Sequence, residues 1–175
     1  MRVLGVDCGS ERTGFGVVES DGRTHHQLAF GVIRAATKET FPQRLHRIHT
    51  ALTALMQEHR PNFVAIEDIF FAENVRSALK LGHVRGVVMQ AAAAQSLPVA
   101  EYTPLAVKSA LTGYGRADKM QVGHMVACLL GMATAPVSLD ASDALAVAIC
   151  HLHHAQNPAL AAALAATPRI RARRV

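Results

Sequence analysis

Two rhythms of hydrophobic and polar positions alternate along the chain. Val3, Leu4 and Val6 form a short apolar run that ends on Asp7 and breaks into the glycine-punctuated turn CGSERTG, the pattern of a buried central strand. TGFGVVES and the segment 25–33 read as two further strands joined at Asp21-Gly22, a dipeptide typical of hairpins, so three sequential antiparallel strands are predicted. Around Pro42 the period changes. Phe41, Leu45, Ile48, Leu52, Leu55 and Met56 recur at helical spacing, with His46, Arg47 and His49 mostly off the stripe. That crossover helix delivers NFVAIED, a second buried strand ending in acid at Glu67 and Asp68. Neighbouring strand residues point to opposite faces, so only one of these two acids can look toward Asp7.

From 74 to 95 the pattern is helical again and changes character halfway. Arg76, Lys80 and His83 share one stripe, whereas GVVMQAAAA is apolar nearly all round, as for a helix covered by the sheet on one side and by another subunit or more of the same chain on the other. LPVAEYT predicts a fifth strand and TPLAVKSALTG a short helix. GYGRADK opens the next helix with Asp118 and Gln121 at capping-box spacing, and Pro136 closes it. A last helix runs from about Asp140 to His154. No internal repeat or linker divides residues 1–157, and the alanine-rich, basic stretch 158–175 reads as a flexible tail.

This order predicts an α/β fold with a five-stranded mixed sheet flanked by helices. With the second and third strands on one side of the first, a right-handed crossover sets the Glu67 strand on the other side, parallel to it. Strand order then reverses between the two, and ligand crevices open at such a switch point beyond the carboxyl ends of the strands, where Asp7 and Glu67 emerge.

Composition narrows the picture. The 175 residues are half hydrophobic, enough for one sizeable core. The charge-free stretches 120–139 and 144–168 are interrupted by polar residues, glycine and proline, so no membrane span is expected, and no signal-peptide pattern precedes Asp7. Cys8, Cys128 and Cys150 are odd in number and lack metal-ligand spacing, which suits a reducing cytoplasm. The net charge of +5 invites a nucleic-acid reading. Four arginines nevertheless fall in the last seven residues, and without them fourteen bases face thirteen acids.

The acids carry the candidate chemistry. A carboxylate ending a buried strand needs a helix N-terminus, a basic partner or a cation, and the competing reading is that Asp7 caps the Gly9-Ser10 turn. Asp140 and Asp143, three apart, project from one face of a helix's first turn, where capping and the macrodipole also favour acids. Together, two strand-end acids and two helix acids can meet, and no lysine or arginine adjoins them along the chain. Each like-charge pair near 4 Å costs roughly 4 kcal/mol at an effective dielectric of about 20, so such a cluster raises its pKa values or recruits cations. Hard oxygen donors select Mg²⁺ or Mn²⁺, and two ions about 4 Å apart suit phosphodiester hydrolysis.

VLGVDCGSERTGFGVV, AIEDIFFAEN followed by SALKLGHVRG, and DASDALAVAICH together resemble the RuvC Holliday junction resolvases of the ribonuclease-H-like superfamily, over residues 1 to about 157. The resemblance implies a homodimeric endonuclease of recombination and repair. It would cut four-way DNA junctions by paired nicks, with RuvAB as its branch-migration partner. It implies that Asp7, Glu67, Asp140 and Asp143 hold two Mg²⁺ or Mn²⁺ ions per subunit, and it selects Glu67 over Asp68. It further implies that Phe70 meets unstacked bases and that Lys108 and Lys119 contact DNA near the scissile phosphate, Lys119 with a part in the chemistry; Arg76 and Lys80 are added as DNA contacts. The helix holding SALKLGHVRGVVMQ is implied in the dimer interface, and a short thymine-rich sequence is the implied cleavage preference.

One departure is Cys8, where the family has proline; its thiol is expected to point away from Asp7. His151 and His154 lie eleven residues beyond Asp140 and Asp143, about 16 Å along a helix, too far to share their ions. Three other readings stay open: an RNA nuclease of the YqgF type, a sugar-kinase-like phosphate loop lacking its second lobe, and a non-catalytic junction-binding module.

Overall fold

The computed structural model describes residues 1–68, 75–136 and 138–156. β1 (Arg2–Asp7), β2 (Arg12–Ser20), β3 (His25–Arg34), β4 (Phe63–Glu67) and β5 (Val99–Tyr102) form one mixed sheet in the order β3-β2-β1-β4-β5. β1 runs antiparallel to β2 and parallel to β4, so the strand order reverses at the β1/β4 boundary as the sequence predicts. The helices are α1 (Phe41–His59), α2 (Val75–Ala94), α3 (Pro104–Thr112), α4 (Lys119–Leu129) and α5 (Leu139–Gln156). The Asp118 carboxylate accepts the Gln121 N–H at 2.9 Å and the Gln121 side chain accepts the Asp118 N–H at 3.0 Å, so the predicted capping box forms.

The two sheet faces build separate cores. Leu4, Val6, Val64 and Ile66 pack under α1 and α2 with Ile48, Leu52, Val84 and Val88. Val3, Ala65 and Ala100 pack against α5, whose outer side is covered by Val107 and Leu111 of α3 and Val122 and Val126 of α4. α5 is therefore an internal helix, and its residues from Ala144 to Leu152 are all buried.

The β2–β3 hairpin forms where the Asp21-Gly22 pair predicts it. Pairing ends at Ser20 and His25. The Asp21 carboxylate accepts the N–H groups of Arg23 and Thr24, each at 2.8 Å, and this side-chain capture closes the loop of residues 21–24.

At the far end of α5, His151 is 1% exposed, shares a 2.8 Å hydrogen bond between its Nδ1 and the Tyr102 hydroxyl, and stacks on Phe63. Burial, aided by His154, pulls its pKa down from 6.5 to about 4. Below pH 6.5 the unfolded chain takes up a proton that the folded chain refuses until about pH 4. The stabilising share of His151 is thus complete above pH 6.5 and lost on acidification to pH 4, roughly 3 kcal/mol in all. Urea titrations of wild type and His151→Phe across this range should converge by that amount; parallel curves would show that the ring titrates normally.

Candidate active site

Three glycines set the seat of α5. Gly5 on β1 pairs with Gly16 on β2, and Gly14 pairs with Asp7. A Cβ on Gly5 would lie 2.0 Å from the Ala144 carbonyl oxygen, and one on Gly14 would lie 1.9 Å from that of Asp140. Only bare backbone admits a helix this close. The first turn of α5 consequently rests on the strand pair at the point where Asp7 ends β1. Asp7 shares its face with Gly5, and Glu67 shares the α5 face with Ala65, by strand alternation.

The electrostatics tie these groups together. Burial, then the charges of Asp143, Glu67 and Asp140, push the Asp7 carboxyl up to about 7 against the pull of Lys119. Burial and then Asp143 raise Glu67 as well, opposed by Lys119 and Lys108. Asp7 thus meets the charges of all three other predicted acids and Glu67 that of Asp143, and Asp7 caps no turn among the described residues.

Two bases distant from the helical acids in sequence complete the site. Lys119 Nζ donates to Asp143 Oδ2 at 3.1 Å, a bond that raises the lysine pKa. Arg12 Nε donates to Asp140 Oδ2 at 2.7 Å. Sequence reasoning passed over Arg12, although its place in the turn leaving Asp7 was an available signal.

Asp68 looks the other way. Its Oδ1 lies 3.2 Å from Arg85 of α2, and Arg85 also reaches the Glu67 carbonyl oxygen and Glu101 Oε2. Cys8 likewise packs with the α1/α2 core, and burial, then Asp7, push its thiol up to about 12. A thiol so firmly protonated at neutral pH is a poor cation ligand.

Among the other predicted contacts, Lys108 is half-buried and its charge reaches Glu67. Arg76 and Lys80 are exposed on the first turns of α2. Phe70 lies outside the described residues, as does the tail 158–175. His151 and His154 face Tyr102, away from the acids.

Among the described residues no three acidic, histidine or cysteine side chains are gathered into a finished metal cage. The donor set nonetheless suits a hard cation. Asp7, half-buried and facing the charges of three further carboxylates, is pushed up to about 7, and a bound divalent ion would relieve the cost of ionising it.

Residues 3–151 match the family model described as crossover junction endodeoxyribonuclease RuvC. The chain is 54% identical over 154 residues to the crossover junction endodeoxyribonuclease RuvC of Koribacter versatilis (strain Ellin345), covering 87% of this chain and 93% of that protein. It also resembles the solved structure of Thermus thermophilus RuvC in complex with a Holliday junction substrate. The TM-score is 0.86 and the identity 36%, over 89% of this chain and 95% of that one. The yeast mitochondrial Holliday junction resolvase Ydc2 shares the fold, with a TM-score of 0.65 at 14% identity over 94% of this chain and 80% of that one.

Proposed function

The chain belongs to the RuvC family of crossover junction endodeoxyribonucleases, and from that membership we propose that it resolves four-way DNA junctions in homologous recombination and repair, by paired symmetric nicks with 5′-phosphate and 3′-hydroxyl ends. The observation that carries the reading at the residue level is the convergence of Glu67, Asp140 and Asp143 on Asp7, drawn from two parallel strands and the start of α5.

In this reading those four carboxylates hold Mg²⁺ or Mn²⁺, two ions per subunit. Bound there, the cations would supply an activated water and stabilise charge on the departing 3′-oxygen. Lys119, exposed yet tethered to Asp143, is poised to meet the scissile phosphate. Lys108 adds positive charge beside Glu67. Arg76 and Lys80 contact the DNA and Phe70 meets unstacked bases at the crossover, in a cytoplasmic enzyme working with RuvAB. No described helix is long and apolar enough to cross a membrane.

Two like cuts on a junction of approximate twofold symmetry call for a symmetric dimer. α2 supports one: Leu79 is exposed, and a Cβ on Gly82 or Gly86 would meet nothing within 4 Å. The outer face of α2 is thus open to a second copy. Gly86→Arg should convert a dimer to a monomer in sedimentation experiments and abolish paired cutting, whereas an unchanged sedimentation coefficient would place the interface elsewhere.

Incubating the protein with a synthetic four-way junction and Mg²⁺ or Mn²⁺, beside a linear duplex, tests the activity. Symmetric nicks that ligase reseals are expected on the junction alone. Binding without cutting would identify a junction-binding module. Lys119→Ala should slow cutting by about a hundredfold while leaving junction affinity within about threefold, because the lysine acts at a single phosphate. Affinity itself should fall steeply with salt, and a salt-insensitive complex would contradict phosphate contact.

A further inference from the structure

The Glu67 carboxylate has no hydrogen-bond or ion-pair partner among the described residues, so its direction is set by the backbone beneath it. That backbone is held from two sides. The Asp68 N–H donates to the Tyr102 carbonyl oxygen at 2.7 Å, tying the end of β4 to β5. From below the sheet, the Arg85 guanidinium donates to the Glu67 carbonyl oxygen. The same guanidinium neutralises Asp68 and Glu101, and its charge also reaches Cys8 at the end of β1. The Arg85 side chain is 12% exposed. One mostly covered side chain of α2 thus underlies the ends of β4 and β5, opposite α5.

We propose that Arg85 is a positioning residue for the nuclease site: it clamps the Glu67 carbonyl and draws Asp68 to the α2 side, so that the Glu67 carboxylate faces Asp7. Only the planar fork of arginine can serve the carbonyl and two carboxylates together. Without it, Asp68 and Glu101 become like charges around a vacated position, and their repulsion twists the peptide that aims Glu67. Since α2 also presents Gly82 and Gly86 outward, the clamp links the face proposed for a second subunit to the site. The inference rests on the reading of Glu67 as a cation ligand.

The test measures Mn²⁺ binding by calorimetry without DNA, in wild type, Arg85→Gln, Arg85→Lys and Glu67→Gln, with junction affinity measured in EDTA. Arg85→Gln should weaken Mn²⁺ binding by about tenfold or more. Junction affinity should stay within about threefold, and Arg85→Lys should recover part of the cation affinity because its charge still meets the two acids. If Glu67→Gln loses Mn²⁺ affinity while both folded Arg85 variants keep the wild-type value, the positioning role is overturned and Arg85 is structural only. If Glu67→Gln binds Mn²⁺ like wild type, the ligand reading of Glu67 fails and takes the proposal with it. Should Arg85→Gln not fold, Arg85→Lys decides between an intermediate affinity, which supports the clamp, and an unchanged one, which overturns it.

Discussion

Asp7→Asn should cut four-way junctions about ten-thousandfold more slowly than wild type, a loss of about 5 kcal/mol of transition-state stabilisation, while binding the junction with unchanged affinity. The amide keeps the shape of the side chain but contributes no charge to hold a divalent ion. The same substitution should stabilise the cation-free protein. An unfolded chain ionises Asp7 near 3.8, whereas the folded chain retains the proton to about 7. Between these values the native state binds more protons than the unfolded state, so this share of stability is present below about pH 4 and is lost as pH rises to about 7. The loss is up to roughly 4 kcal/mol. Asparagine cannot ionise and removes it. Thermal melts in EDTA at pH 5 and pH 8, with and without the substitution, would reveal the effect. The effect of cation should also reverse: added Mn²⁺ should raise the wild-type melting temperature far more than that of the variant. Equal losses of cutting and junction binding would instead mean that Asp7 holds the fold and not the chemistry.

The contrast between Asp7 and its neighbours shows where sequence reasoning reaches and where it stops. The ends of β1 and β4 were legible because an acid closing an apolar run conflicts with burial, and because a crossover helix between two buried strands leaves few topologies. The first turn of α5 was legible as a same-face pair of acids. The choice between Glu67 and Asp68 was not legible from periodicity, which says only that they diverge; the family resemblance selected Glu67, and Arg85 shows where Asp68 goes. Arg12 and Lys119 reach Asp140 and Asp143 across 128 and 24 residues of sequence, so the local absence of bases said nothing about neutralisation in space. The apolar surround of the second half of α2 likewise did not reveal which side stays uncovered. Val84, Val88, Ala91 and Ala92 face the core, while Gly86 and Gln90 are exposed. The glycines under α5 were visible as strand glycines, a signal of close backbone approach. Their shared purpose required the register that sets Gly5 against Gly16 and Gly14 against Asp7.

Gly14→Ala should therefore impair both stability and catalysis. Its Cβ would stand 1.9 Å from the Asp140 carbonyl oxygen and 2.5 Å from the carbonyl carbon, both main-chain atoms of α5 that no side-chain rotation can clear. The helix start must retreat by about an ångström, a form of overpacking that costs about 1–3 kcal/mol and lowers the melting temperature of a chain this long by roughly 3–10 °C. The displaced turn carries Asp140 directly and Asp143 one step on, so cutting should fall by about a hundredfold even at temperatures where the variant is fully folded. Gly123→Ala provides the comparison. Its Cβ would meet Ser142 Oγ at 3.6 Å and Ala135 Cβ at 3.8 Å, ordinary contacts, and alanine favours the helix there. That variant should melt at or slightly above the wild-type temperature and cut normally. A Gly14→Ala protein matching wild type in both melting and cutting would mean that α5 does not rest on the β1–β2 pair, and the convergence of the helical acids with Asp7 would lose its structural basis.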